Sequence, residues 1–131
     1  MNQPRTGCQV VICDDEPAFR QIASVVLGLD PDVEVVGEAA DGREAIEVVG
    51  KLRPDVLLLD IAMPLMDGLE AMPHIREASP ETRIVVLTGM VAESVRQRAL
   101  DSGARLFIEK GIDIEELVAH VKEVCSDPSG V

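Results

Sequence analysis

Tryptophan and tyrosine are absent from the 131-residue chain, and phenylalanine occurs only twice. A flavodoxin-like electron carrier, which usually sandwiches its flavin between aromatic rings, would find no Trp or Tyr here. Basic residues are also scarce, with 12 Lys and Arg against 24 Asp and Glu and a formal charge of -12. Nucleic-acid affinity comes largely from clustered Lys and Arg that release counterions, so this segment is not expected to bind DNA or RNA directly. Long apolar runs are missing too. The longest core-like stretch, Val56-Leu57-Leu58-Leu59, falls far short of the roughly 20 residues that span a bilayer. Residues Met1 to Gly7 lack the basic start and apolar stretch of a signal peptide, so a cytoplasmic protein without membrane contacts is expected. Cys8, Cys13 and Cys125 are odd in number and lack metal-ligand spacing, which predicts reduced, partly buried thiols rather than a disulfide framework. His74 and His120 have no partnering acid or metal spacing and are assigned surface or structural roles.

Nearly half the residues are hydrophobic, enough to bury one core and too few for two ordinary domains. The expected organisation is a tail over 1–7, one domain over 8–125, and a linker-like stretch over 126–131. Within the domain, strand-like runs alternate with helix-like patterns about every two dozen residues. The strands are read at Val10–Cys13, around Val33–Val36, at Val56–Leu59, at Ile84–Leu87 and at Leu106–Ile108. Pro17 suits the first turn of a helix, along which Ile22, Val25, Val26 and Leu29 recur at helical spacing. Asp41 and Glu44 read as an acidic capping box ahead of Ala45, Ile46, Val48, Val49 and Leu52. A third helix spans Leu69 to Ala78, although Pro73 within it removes a hydrogen bond and should kink or shorten it. A fourth crosses Val91 to Ser102 and closes at Gly103, and a fifth carries Ile114, Leu117, Val118, Val121 and Val124. This order predicts an open parallel sheet with helices on both faces.

In such a sheet the ligand site lies outside the carboxyl ends of the strands. Asp14 and Asp15 follow the first strand, Asp60 ends the third, Thr88 follows the fourth and Lys110 the fifth. Like charges about 4 Å apart repel by roughly 4 kcal/mol at an effective dielectric of 20, so converging carboxylates call for Lys110 and a cation. Oxygen-only ligands favour a hard ion such as Mg²⁺, beside which an aspartate is a plausible nucleophile.

Taken in order, Asp14-Asp15-Glu16-Pro17, Asp60-Ile61-Ala62-Met63-Pro64 with Gly68, Thr88-Gly89, and Gly103-Ala104 leading to Phe107 and Lys110 resemble the receiver domain of bacterial two-component response regulators. The resemblance covers nearly the whole chain. It implies a flavodoxin-like (βα)5 three-layer α/β fold with strand order 2-1-3-4-5. It also implies phosphorylation of Asp60, with Mg²⁺ bound directly by Asp15, Asp60 and the backbone carbonyl of Ala62, and through water by Asp14. Lys110 would pair with a phosphate oxygen, while the Thr88 hydroxyl moves toward the phosphoryl group and the ring of Phe107 turns inward. Ala62, Gly89 and Met90 would flank the path of attacking water and tune hydrolysis.

The implied donor is a phosphohistidine of a sensor histidine kinase or a histidine phosphotransfer domain, docking near Pro17, Ala18 and Phe19. Self-phosphotransfer and autodephosphorylation would be the only catalysis, and dimerisation on phosphorylation is left open. The linker-like tail and Lys110-Gly111 resemble receivers that continue into a helix-turn-helix output domain, so transcription is the expected output. The alternative is a stand-alone receiver acting through protein contacts or as a phosphorelay intermediate. Two positions depart from the family's common pattern: Gly111 stands where many receivers have proline, and Phe107 replaces the commoner tyrosine. An aspartyl-phosphate phosphatase would need a second acid two residues after its nucleophile, where Ala62 stands. In the flavodoxin alternative, the acids of Asp14-Asp15-Glu16 would repel the flavin phosphate.

Overall fold

Short runs of Val, Ile and Leu can hide both faces of a strand only if helices cover the sheet on each side. The structure, a computed structural model that describes residues 7–61, 68–89 and 92–126, has that form. Strands β1 (Cys8–Cys13), β2 (Val33–Ala39), β3 (Val56–Leu59), β4 (Arg83–Thr88) and β5 (Leu106–Glu109) alternate with helices α1 (Pro17–Leu29), α2 (Gly42–Leu52), α3 (Gly68–Ala78), α4 (Glu93–Asp101) and α5 (Ile114–Ser126). All strand pairings are parallel, in the order β2-β1-β3-β4-β5. This is the expected flavodoxin-like, three-layer α/β fold.

Alternate residues of the central strands enter opposite layers. Val11, Leu57, Leu59, Ile84 and Val86 pack with Ala45, Val49, Ala71, Met72, Ile75 and Ala99 of α2, α3 and α4. Val10, Ile12, Val56, Leu58, Val85 and Leu87 pack with Ala23, Leu27, Leu117 and Val121 of α1 and α5. A leucine buried in this way contributes roughly 2 kcal/mol by removal of apolar area from water, and β3 is buried along its whole length.

Local signals explain the helix starts. Pro17 opens α1, and the Asp41 carboxylate accepts the Glu44 N–H at 2.9 Å. The Glu44 carboxylate reaches back to the Ala40 N–H at 3.3 Å, one residue before the usual reciprocal partner in a capping box. At the end of α4, Gly103 takes φ +109, a backbone conformation that favours glycine.

Several expectations need correction. Strand β2 runs on through Gly37, Glu38 and Ala39, because its ladder with β1 resumes after an irregularity between Val10 and Val11. Helix α4 begins at Glu93; Val91 lies outside the described residues. Pro73 sits inside α3 without ending it and lies on the exposed side of the helix. The apolar spacing in α1 is not its core face. Ala23 and Leu27 are buried, whereas Ile22, Val25 and Leu29 are 58 %, 58 % and 76 % exposed, because the helix is rotated so that the 23–27 stripe faces the sheet.

The largest correction concerns the cysteines. Cys8 and Cys125 form a disulfide, their Cα atoms 6.1 Å apart, and Cys13 is a buried thiol outside it. The pairing comes from topology, since β1 starts at the amino-end rim of the parallel sheet, where α5 ends its return across one face.

Candidate functional site

The two buried acids of the rim, Asp14 and Asp60, are each placed by a ladder hydrogen bond continuing one residue past a strand. The Asp14 N–H donates to the Ala39 carbonyl and the Asp60 N–H to the Cys13 carbonyl, both at 3.0 Å. The Lys110 N–H donates to the Thr88 carbonyl at 2.8 Å, so the lysine and the threonine are fixed relative to one another. Asp14, Asp15 and Asp60 bring carboxylate oxygens within 4.8 Å of one another, with Asp14 and Asp60 buried. Residues 46 positions apart in sequence thus form one acidic cluster.

Lys110 Nζ lies 2.6 Å from Asp14 Oδ2, 3.0 Å from Glu16 Oε1 and 3.3 Å from Asp60 Oδ2. It also stands 4.5 Å from the centre of the Phe19 ring, a cation–π distance. Burial alone would lower the lysine's pKa, but hydrogen bonds to Asp14 and Glu16 and the charge of Asp60 outweigh it and hold the pKa above the usual lysine range. For Asp14 the balance runs the other way. Burial raises its pKa, the Lys110 and Glu16 N–H hydrogen bonds lower it, and the Asp60 charge raises it again, for a net rise.

Thr88 is fully buried at the end of β4, and Gly89 after it is exposed, with no atom of the described residues within 4 Å of where a Cβ would stand. Phe107 is half-buried against the α2–α4 core layer and lines a surface cavity with His120. Gly111 has φ +106, and no peptide bond among the described residues is cis. Ala62 and Met90, predicted to bind metal or tune hydrolysis, lie outside the described residues. His120 is half-buried on α5 and His74 exposed on α3, and neither belongs to the acidic cluster.

Sequence reasoning missed the part three residues play in this geometry, naming Glu16 only within a motif, Phe19 only as a donor-docking position and Arg20 not at all. Glu16 is a direct partner of Lys110 and Phe19 lies beneath its ammonium. Arg20 donates to the Asp14 carbonyl at 2.6 Å and to Glu38 at 3.3 Å. Their placement in the turn and first helical turns after β1 was the available signal. Gly68, noted only as part of a motif, is a close-packing position: a Cβ there would stand 2.6 Å from the Asp60 carbonyl oxygen and 2.8 Å from Ile61 Cα.

The donor set suits a hard divalent cation. Three carboxylates converge with no imidazole or thiolate in the cluster, the chemistry that selects Mg²⁺ over softer metals. Cys13 nearby is not a competing ligand. Burial, then the charges of Asp14, Asp41, Asp60 and Glu44, push its thiol pKa far up, and its Sγ–H donates to the Asp41 carbonyl at 3.4 Å.

Known proteins are similar to this chain in sequence and in fold. The transcriptional regulatory protein DegU of Brevibacillus brevis is 37% identical over 116 residues, covering 88% of this chain and 49% of DegU. A protein-glutamate methylesterase/protein-glutamine glutaminase of Methanosarcina mazei is 38% identical over 121 residues, covering 90% of this chain and 33% of that protein. The chain therefore spans half or less of the length of these relatives. The response regulator domain of Thermotoga maritima CheB superposes with a TM-score of 0.85 at 31% identity, covering 93% of this chain and 99% of that domain. Residues 10–122 match the response regulator receiver domain model, and with the acidic cluster at the ends of a 2-1-3-4-5 parallel sheet this establishes that the chain belongs to the receiver domain family of two-component response regulators.

Proposed function

We propose that this receiver domain stores a signal as a phosphoryl group on Asp60. The observation that carries the reading is the position of the Asp60 carboxylate, buried at the end of β3 between the Asp14–Asp15 pair and Lys110 Nζ at 3.3 Å. An Asp60 oxygen attacks the phosphorus of a phosphohistidine on a sensor kinase or phosphotransfer domain. The new O–P bond forms as the N–P bond breaks, and the imidazole leaves. Asp14, Asp15 and Asp60, together with the Ala62 carbonyl, would hold Mg²⁺, which when bound offsets negative charge on the phosphoryl oxygens.

Lys110 then exchanges part of its carboxylate contacts for a phosphoryl oxygen, and its link to the Thr88 carbonyl transmits the shift to the end of β4. Thr88 supplies a hydroxyl to the phosphoryl group, and the ring of Phe107 on the next strand responds. Ala62, Gly89 and Met90 set access of water and so the lifetime of the phosphoryl group. The donor docks beside Pro17, Ala18 and Phe19, next to the lysine. The likeness to DegU favours a transcriptional output carried by segments outside residues 8–125, with no catalysis beyond turnover of the domain's own phosphoryl group.

Acetyl phosphate with Mg²⁺, read by intact mass, tests this. One phosphoryl adduct is expected on the protein, none on Asp60→Asn, and none after EDTA removes the metal. An unlabelled wild type, or a labelled Asp60→Asn, overturns the reading.

A further inference from the structure

The amino ends of the strands carry chemistry that the phosphoryl site does not use. Cys8 is the first residue of β1 and Cys125 the penultimate residue of α5, and their disulfide spans 117 residues. It borders a surface cavity of about 300 Å³ lined by Gly7, Cys8, Asp32, Lys122, Cys125 and Ser126. Cys8 is buried and Cys125 half-buried, so a small thiol entering this cavity meets the Cys125 side of the bond first.

The backbone on both sides of the bond is held without it. The Cys8 N–H donates to the Asp32 carbonyl at 2.7 Å. Arg83 donates to the carbonyls of Val124 and Cys125 at 3.2 and 3.0 Å, and Lys122 bridges Asp30 and Asp32 at 3.1 and 3.2 Å. Both cysteines also belong to the apolar layer between the sheet and α1 and α5, where a thiol packs as a small hydrophobe. The fold thus accommodates either state. What the covalent bond adds is a fixed last turn of α5, where the chain leaves the sheet.

We propose that Cys8–Cys125 is a reversible thiol–disulfide site, a redox-controlled clamp on the last turn of α5 that operates separately from Asp60. In reduction, a low-molecular-weight thiolate attacks Cys125 Sγ, forming a mixed disulfide and releasing the Cys8 thiolate, which takes up a proton. A second thiolate attacks the small-molecule sulfur of that mixed disulfide. The small-molecule disulfide leaves and the Cys125 thiolate is protonated, so two thiols are oxidised to one disulfide as the protein's bond is reduced. Oxidation by a small-molecule disulfide is the reverse. Cys13 takes no part, being buried with its thiol bonded to Asp41.

The test equilibrates the native chain in buffers of reduced and oxidised glutathione, quenches with acid, alkylates the free thiols after denaturation and reads intact mass, with amide exchange measured on both native forms. Cys8 and Cys125 should become alkylatable together, while circular dichroism is unchanged. Amide exchange over 121–126 should quicken at least tenfold, and acetyl phosphate labelling of Asp60 should persist in both forms. A pair that stays oxidised until the fold is lost, a pair that never oxidises, or unchanged exchange over 121–126 would each overturn the proposal. Cys8→Ala and Cys125→Ser should show the fast-exchange behaviour even in oxidised glutathione. The wild-type titration stands without them if either variant folds poorly.

Discussion

The two ends of one sheet are built on opposite physical principles. At the carboxyl ends, Asp14, Asp15, Glu16 and Asp60 surround a single ammonium, Lys110, and two of those carboxylates are buried. At the amino ends, polar groups are matched by neutral or paired partners: Asp55 accepts the Gln9 N–H at 2.8 Å, the Thr82 hydroxyl reaches the Pro54 carbonyl at 2.7 Å, and a disulfide ties β1 to α5. The difference separates stability from readiness to react. The rim that must receive a dianionic group and a cation is left electrostatically unbalanced, and the opposite rim holds the fold together.

The strongest challenge to that division is mechanical. If the acidic rim relies on close backbone support, Gly68→Ala should harm it most. The added Cβ would meet the Asp60 carbonyl and Ile61 Cα, backbone atoms that cannot rotate away. A loss of about 3 kcal/mol is expected, at the upper end of typical overpacking costs. Urea unfolding followed by circular dichroism measures it, since the chain has no tryptophan to report by fluorescence. A loss within experimental error would mean that α3 does not brace Asp60.

Next in size is Lys110→Met, which keeps the apolar stem and removes the one cation common to Asp14, Glu16 and Asp60. Removing one partner of a buried pair costs about 3–5 kcal/mol, and partial exposure of this lysine lowers the expectation to about 2 kcal/mol. Because the folded pKa of Lys110 is raised, its contribution is fully present below the lysine's unfolded value. It is lost only as pH rises through the folded one. The deficit of the variant should therefore be constant from pH 6 to pH 9 in urea titrations. A deficit that already shrinks across that range would show that the lysine is not held by these acids.

How much of this was legible beforehand follows from the range of the interaction involved. The all-apolar β3 ending in Asp60 announced itself, because full burial of a parallel strand leaves no other pattern. Asp41 and Glu44 were readable because capping acts over three residues. A parallel sheet covered on both faces followed from the βα alternation, and the placing of Asp14, Asp60, Thr88 and Lys110 at its carboxyl ends from the rule that puts sites there. The strand order itself came only from the family resemblance. Contacts set by how side chains fold back in three dimensions were not readable. Glu16 and Phe19 meet Lys110 across 94 and 91 positions, and no spacing encodes that. The disulfide was misread for the same reason: an odd number of cysteines argues against pairing only when nothing brings two of them together. Ile22, Val25 and Leu29 carried the right period for a helix but the wrong face, since periodicity fixes a helix and not its rotation against the sheet.

The smallest expected effect is the most direct test of the unbalanced rim. Folding raises the pKa of Asp14, chiefly by burial and further by the charge of Asp60, against the pull of Lys110 and the Glu16 N–H. An acid whose folded pKa is raised binds its proton more tightly in the folded state. Its contribution to stability is therefore greatest below the unfolded pKa and falls as pH rises through the folded value. Asparagine has the same shape and no proton to lose. Asp14→Asn should thus be more stable than the wild type at pH 7, by on the order of 1 kcal/mol. The advantage should shrink as pH is lowered through the raised Asp14 pKa and vanish below the ordinary carboxylate range. A variant less stable than wild type at pH 7 would mean that the 2.6 Å pair with Lys110 outweighs burial of the charge. The contrast between the two rims would then be one of chemistry alone, because an acid that stabilises the fold where it also serves the site leaves no conflict for the amino-end ties to offset.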